Sequence, residues 1–331
     1  MGRLLTWVIA FALLAGIGYT AYVGYEGSRQ AVNVDEGRST DCRAPDVLLG
    51  WTYEAINYDI ADDAALHAAN PDLTDCATQG AAAGNEIVTD DGVRIAGWYV
   101  PAANGAGPDA PTVVLVHGYA ANKSDILPYA AGLHETFNLV AFDQRNGGRS
   151  TGTQTTYGVL EQRDLRAVID WVEREKGASW IGVLGNSMGA ATAITEARTD
   201  PRVRALALDS MHTRLSYQFE QRLIHSGHPP YPGTWAIFIG SWFRTGLDLG
   251  SADPTDAIPD IADRPLLITH GTADDEDLPE RTEQFVADAS AAGIAVTLHW
   301  CDGAGHGLVD DVCPGELATW VNDFFTAALG D

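Results

Sequence analysis

The chain has 331 residues and a formal net charge of −25 at pH 7. So acidic a surface excludes nucleic-acid binding through a basic patch. Hydrophobic residues make up 46% of the chain, with nine Trp among them, which is material for a large core. Length alone allows one large domain or two small ones.

Arg3 precedes an uncharged run over 4–25, LLTWVIAFALLAGIGYTAYVGY. That is long enough to cross a bilayer as a helix. A cation before it and Glu26 after it place the N-terminus inside. Residues 1–25 are therefore expected to form a transmembrane signal anchor, holding an extracytoplasmic domain at the cell membrane. A signal peptide usually has a shorter apolar core. Gly16-Ile17-Gly18 and Gly18-Tyr19-Thr20 are weak cleavage sites, and cleavage there would give a secreted protein.

The four cysteines fit export. An even count beyond an export segment predicts two disulfides. Local pairing, Cys42 with Cys76 and Cys301 with Cys313, is the expected arrangement. No C-x-x-C occurs, so no zinc site is expected. Residues 26 to about 45 read as a polar linker. Val47, Leu48, Trp51, Ala55 and Ile56 predict a helix over 46–67, broken at Asn70-Pro71. Residues 26–84 are thus taken as a linker and a disulfide-stapled extension that packs on the main domain or shades its cleft.

The main domain is placed at 85–331. Residues 86–100 predict a hairpin turning at Asp91-Gly92. Residues 112–116 are a continuous apolar run, as in a parallel sheet covered on both faces. Strands over 137–142, 181–184, 203–208, 265–269 and 294–300 then alternate with helices over 160–173, 190–198 and 280–292. Pro314-Gly315 should delay the closing helix until Glu316, from where it runs to Ala328. This alternation means βαβ units with right-handed crossovers, an α/β fold with a mostly parallel central sheet and helices on both faces. The interval 209–264 holds no clear strand and is long for a loop. Its aromatic and apolar stretch over 211–250 predicts a small helical lid.

Chemistry concentrates at strand ends. Gly185-Asn186-Ser187-Met188-Gly189 lies between a predicted strand and a predicted helix, the context of a nucleophile elbow. His117-Gly118-Tyr119 follows the first central strand. Its Tyr119 N–H and the N–H of Met188 are candidates for an oxyanion hole. His117 reads as a structural hydrogen-bonding residue. Asp274 follows the strand over 265–269, and His306 sits in a Gly-rich turn after the last strand. Asp275 and Asp209 are competing acids. In this reading His306 takes the Ser187 proton, and Asp274 fixes the His306 tautomer.

These motifs, with Gly97-Trp98-Tyr99-Val100-Pro101, Phe142-Asp143-Gln144-Arg145-Asn146-Gly147-Gly148-Arg149-Ser150 and Thr156-Tyr157-Gly158, resemble the α/β-hydrolase superfamily over about 85–328. Within it, the chain is similar to bacterial serine hydrolases of the serine-aminopeptidase-like type. The resemblance implies an α/β-hydrolase fold, a Ser187–His306–Asp274 triad and oxyanion amides at Tyr119 and Met188. Arg145-Asn146 stands where the family usually has Arg-Gly, and neither the N-terminal extension nor Cys301 and Cys313 map onto it.

The function expected is cleavage of small-molecule acyl esters or thioesters through an acyl-enzyme. A serine peptidase or aminopeptidase-type amide hydrolase is the alternative enzyme. A non-catalytic binding protein of the same fold is the alternative outside enzymes. No cofactor, metal or nucleic acid is expected, and the membrane is met through the N-terminal helix.

Overall fold

The computed structural model of the chain describes residues 2–33, 42–58, 80–105, 107, 110–261 and 263–330. Eight strands form one sheet: β1 Glu54–Ile56, β2 Gly97–Val100, β3 Thr112–Val116, β4 Asn138–Phe142, β5 Ile181–Asn186, β6 Val203–Asp209, β7 Leu266–Gly271 and β8 Val296–Cys301. Their spatial order is β1-β2-β4-β3-β5-β6-β7-β8. β1 and β2 are antiparallel at one edge, and the other six run parallel.

Both faces of this sheet are covered. Side chains alternate across a strand, and those of β3 feed two different cores. Val114 and Val116 join one with Leu165, Ile169, Ala190 and Phe285. Val113 and Leu115 join the other with Ile126, Leu317, Val321 and Phe325. The helices responsible are α2 Glu161–Lys176, α3 Met188–Ala197, α6 Pro279–Ala291 and α7 Pro314–Ala328. α2 shows why they form. Leu165, Val168, Ile169 and Val172 repeat at helical spacing and are buried. Gly177, at φ 66°, then ends the helix in the left-handed region that glycine adopts freely.

The segment after β6 holds two helices, α4 Leu215–His225 and α5 Pro230–Thr245. They close a third apolar cluster over the elbow with α1, Gly2–Val32. α1 is long and apolar enough over Thr6–Val32 to cross a membrane, its most apolar 18-residue stretch having a mean hydropathy of 1.6.

Three sequence expectations need correction. The supposed linker is helical as far as Val32. Tertiary contact overrides the polarity of its first residues: Ser28, Ala31 and Val32 are buried, and Gly27 packs against Ile237 of α5. The helix over 46–67 is reduced to one turn, Pro45–Leu48. Gly50 then takes φ 70°, and Glu54–Ile56 becomes an edge strand paired with β2. There Ala55 and Ile56 bury against the sheet, which a solitary helix could not offer them. Residues 59–67 of that expected helix lie outside the described residues, as does Cys76. The expected hairpin turns at Asp91-Gly92, with one bridge, Val88 to Arg94, before β2 begins. Finally, α7 starts at Pro314 and not at Glu316, because proline suits the first helical position, where no N–H is needed. Cys301 and Cys313 are bonded as expected, and Cys42 is buried and disulfide-bonded.

Candidate active site

The serine is presented by sterics. A Cβ on Gly185 would lie 2.5 Å from the Gly189 backbone, and one on Gly189 would lie 2.1 Å from the Val116 carbonyl oxygen. Only glycine lets strand β5, helix α3 and strand β3 approach this closely. Between them Ser187 takes φ 50° and ψ −116°. Such a backbone costs on the order of 1–3 kcal/mol and persists only where its surroundings over-determine it. Here its N–H donates to Asp209 O at 2.8 Å, and Asn186 pairs with Asp209 in the sheet. The hydroxyl stands at the N-terminus of α3, where the helix dipole favours negative charge.

The structure brings Ser187, His306 and Asp274 together. Ser187 Oγ lies 2.8 Å from His306 Nε2, and His306 Nδ1 lies 2.9 Å from Asp274 Oδ2. Asp274 is held by the turn after β7. Its Oδ1 accepts the N–H groups of Glu276 at 3.0 Å and Asp277 at 2.8 Å. Burial pushes the Asp274 carboxyl up. The hydrogen bond and charge of His306 and the Asp277 amide outweigh that, so Asp274 stays ionised below the usual range. For His306, burial disfavours the imidazolium. The bond that Asp274 accepts from His306 and the charges of Asp277 and Asp274 reverse this and raise His306 to about 9.

The competing acids sit elsewhere. Asp275 is exposed beside His225, at 3.6 Å. Asp209 accepts from Thr269 Oγ1 at 2.6 Å and Asn186 Nδ2 at 2.8 Å. It therefore fixes the elbow from behind. His117 is buried, with Nε2 accepting from Gln144 N at 3.0 Å and Nδ1 beside Gly118 O at 2.8 Å. Burial holds it neutral, which agrees with a structural role.

The loop over 117–120 abuts the elbow. A Cβ on Gly118 would come within 3.4 Å of Ser187 Cβ. Among the described residues, neither the Tyr119 nor the Met188 amide donates to a protein acceptor. The Tyr119 ring stacks on Tyr157 with centroids 5.3 Å apart, and its hydroxyl donates to Gln30 O of α1.

Two groups in this site escaped sequence reasoning. Asp277 places Oδ2 3.6 Å from His306 Nδ1. Arg222 of α4 donates to Tyr157 Oη at 3.1 Å, pairs with Glu276 at 3.3 Å and covers the Tyr119 ring at 5.4 Å. The unbroken acidic run Asp274-Asp275-Glu276-Asp277 was the available signal for the first. Nothing local marks the second, because α4 meets the acid turn only through the fold.

Two cavities adjoin these residues. One, of about 350 Å³, has Tyr119, Arg222, Phe219, Leu223, Val23 and Ile237 in its wall. The other, of about 450 Å³, is more polar, with His117, Gly118, Asn186, Tyr129, Asp310 and Asp311. Among the described residues, no group of three His, Cys, Asp or Glu side chains is placed to hold a metal ion.

A family description, alpha/beta hydrolase fold, matches residues 111–238. The esterase Pf2001 of Pyrococcus furiosus superposes with a TM-score of 0.66 at 23% identity, covering 88% of this chain and 96% of that one. The uncharacterised protein YfhR of Escherichia coli K12 is 28% identical over 195 residues, 57% of this chain and 62% of its own. The thiohydrolase aneE of Aspergillus aculeatus is 32% identical over 128 residues, 37% of this chain and 39% of that protein. The chain spans less than two thirds of the length of the curated relatives it matches first.

Proposed function

We propose that the chain, which has the alpha/beta hydrolase fold, is a serine hydrolase of acyl esters or thioesters. The observation that carries this reading is the unbroken relay Ser187 Oγ–His306 Nε2, His306 Nδ1–Asp274 Oδ2 at the head of α3. His306 takes the Ser187 proton as Oγ attacks the acyl carbonyl. The negative charge that develops falls to the Tyr119 and Met188 amides. His306 then returns the proton to the leaving alkoxide or thiolate. Water repeats the cycle on the acyl-enzyme and frees the acid. Asp274 stabilises the imidazolium in both halves.

The cavity behind Tyr119, with Val23, Phe219, Leu223 and Ile237 beside the polar Glu26, Gln30, Arg222 and His228, is the less polar of the two and suits the acyl chain, and the one beside Asn186 suits the leaving group. A thiohydrolase among the relatives is consistent with the thioester half of the proposal. In the same reading α1 anchors the protein in the cell membrane with the hydrolase domain outside. The bonded Cys301 and Cys313 support that compartment.

The test is hydrolysis of p-nitrophenyl esters of increasing chain length beside a panel of peptide amides. Ester turnover that vanishes in Ser187→Ala supports the reading. Turnover of amides alone would replace it with a peptidase.

A further inference from the structure

We infer that the outer face of α5 is a bilayer-insertion surface, whose occupant is the hydrocarbon edge of a phospholipid membrane. Trp235, Ile239, Trp242 and Phe243 stand at i, i+4, i+7 and i+8, so they share one helical face. Their exposures are 60%, 57%, 52% and 77%. A helix on a water-facing surface carries polar residues there. α5 carries a single charge, Arg244, and it is turned away to α1. Arg244 Nε donates to Ser28 Oγ at 2.9 Å, and Nη2 to Tyr25 O at 3.1 Å. The opposite side of α5 buries Gly233, Thr234, Ile237 and Ser241.

What covers the exposed face is indicated by its neighbour. α5 lies in close contact with α1 through small residues, Gly24 against Ala236 and Gly240 against Ser28. α1 continues the same surface with exposed Leu13 and Ile17. A groove of about 940 Å³ runs between the two helices, walled by Leu13, Ile17, Ala21, Ala236, Ile239 and Phe243. One of these helices has the length and hydropathy of a membrane span. A face continuous with it therefore meets the same solvent. Tryptophan and tyrosine at such a junction favour the interface, where their rings sit at headgroup depth.

The consequence for chemistry rests on the acyl-hydrolase reading. The cavity behind Tyr119 has α1 and α4 residues in its wall, together with Ile237 from the inner side of α5. Insertion of α5 would set that cavity at the membrane surface. An acyl chain drawn from lipid into that cavity would meet Tyr119, whose loop abuts the Ser187 elbow. The substrate class favoured is then a membrane-dissolved acyl ester.

The test uses the full chain reconstituted in phosphatidylcholine vesicles, with and without bromine on the acyl chains. Trp7→Phe serves as the background, because Trp7 lies in α1. Bromolipid should quench a substantial part of the tryptophan emission. Adding Trp235→Phe and Trp242→Phe should remove at least half of that quenching, with the circular dichroism spectrum unchanged. Quenching that is absent, or that survives both substitutions, overturns the inference. So does a chain whose α5 tryptophans are unquenched because a second copy covers them. In parallel, Trp235→Ser with Phe243→Ser should lower turnover of a vesicle-borne long-chain ester about tenfold and leave a soluble short ester unaffected. Loss on both esters, or on neither, contradicts it. If the parent hydrolyses no ester, the catalytic reading fails, while the quenching result still decides the surface.

Discussion

Asp277 holds its Oδ2 3.6 Å from Nδ1 of His306, on the same side as the Asp274 carboxylate. Burial pushes the Asp277 carboxyl up to about 7, with Gln218 Nε2 donating to it at 3.1 Å. His306 thus faces two acids, one ionised throughout and one that ionises near neutrality. Both favour its charged form.

A general base must be neutral to act. With His306 raised to about 9, about 1% of it is neutral at pH 7. The acid limb of kcat/KM for ester hydrolysis should therefore lie on the alkaline side of an ordinary histidine. Activity should rise with pH through that limb. Asp277→Asn keeps the acceptor for Gln218 and removes the charge, so the limb should move down. Activity at pH 7, relative to that at pH 9.5, should rise severalfold. An unmoved limb would remove Asp277 from the account.

Gly189→Ala should destabilise the fold as well as inactivate it. The added methyl meets Val116 O at 2.1 Å, and that oxygen belongs to a central strand. Overpacking of this kind costs roughly 1–3 kcal/mol or more. The urea midpoint should fall accordingly. A variant of unchanged midpoint would contradict the steric account of the elbow.

Lys123 and Asp143 form a fully buried ion pair at 2.6 Å. Removing one member strands a charge, which typically costs about 3–5 kcal/mol. Lys123→Met should show that loss in chemical denaturation. Adding Asp143→Asn should recover a good part of it. A double variant no better than the single one would show that the charge is not what costs.

The bond between Cys301 and Cys313 spans 12 residues and encloses His306. Cross-linking a loop of this length contributes roughly 3 kcal/mol through chain entropy. Replacing both cysteines with serine should lower thermal stability and reduce turnover, because the loop that carries His306 is loosened. Full activity and stability in that variant would make the bond incidental.

The elbow, the order of Ser187, Asp274 and His306, and the parallel sheet were legible because each is encoded locally. Glycines flank the serine, apolar runs mark β3 to β8, and Asp274 and His306 follow strand ends. What was not legible depended on distant partners. Residues 26–32 look polar, yet the end of α1 is helical and buried because α5 lies against it. Ala55 and Ile56 fit a helix or a strand equally, and the free edge of β2 decided. Asp277 was one acid in a run of four, and only the turn after β7 shows which two face His306. Trp235 to Phe243 read as apolar lining for a lid, but half of that helix faces outward.

The proposed chemistry requires Ser187 to be a nucleophile activated by His306. A fluorophosphonate probe tests it most directly, read by intact mass and by peptide mapping of the full chain. A single adduct on Ser187 is expected, faster at alkaline pH, abolished in Ser187→Ala and slowed at least 10³-fold in His306→Ala. A folded wild-type protein that takes up no probe at any pH, or that is labelled elsewhere, would contradict it.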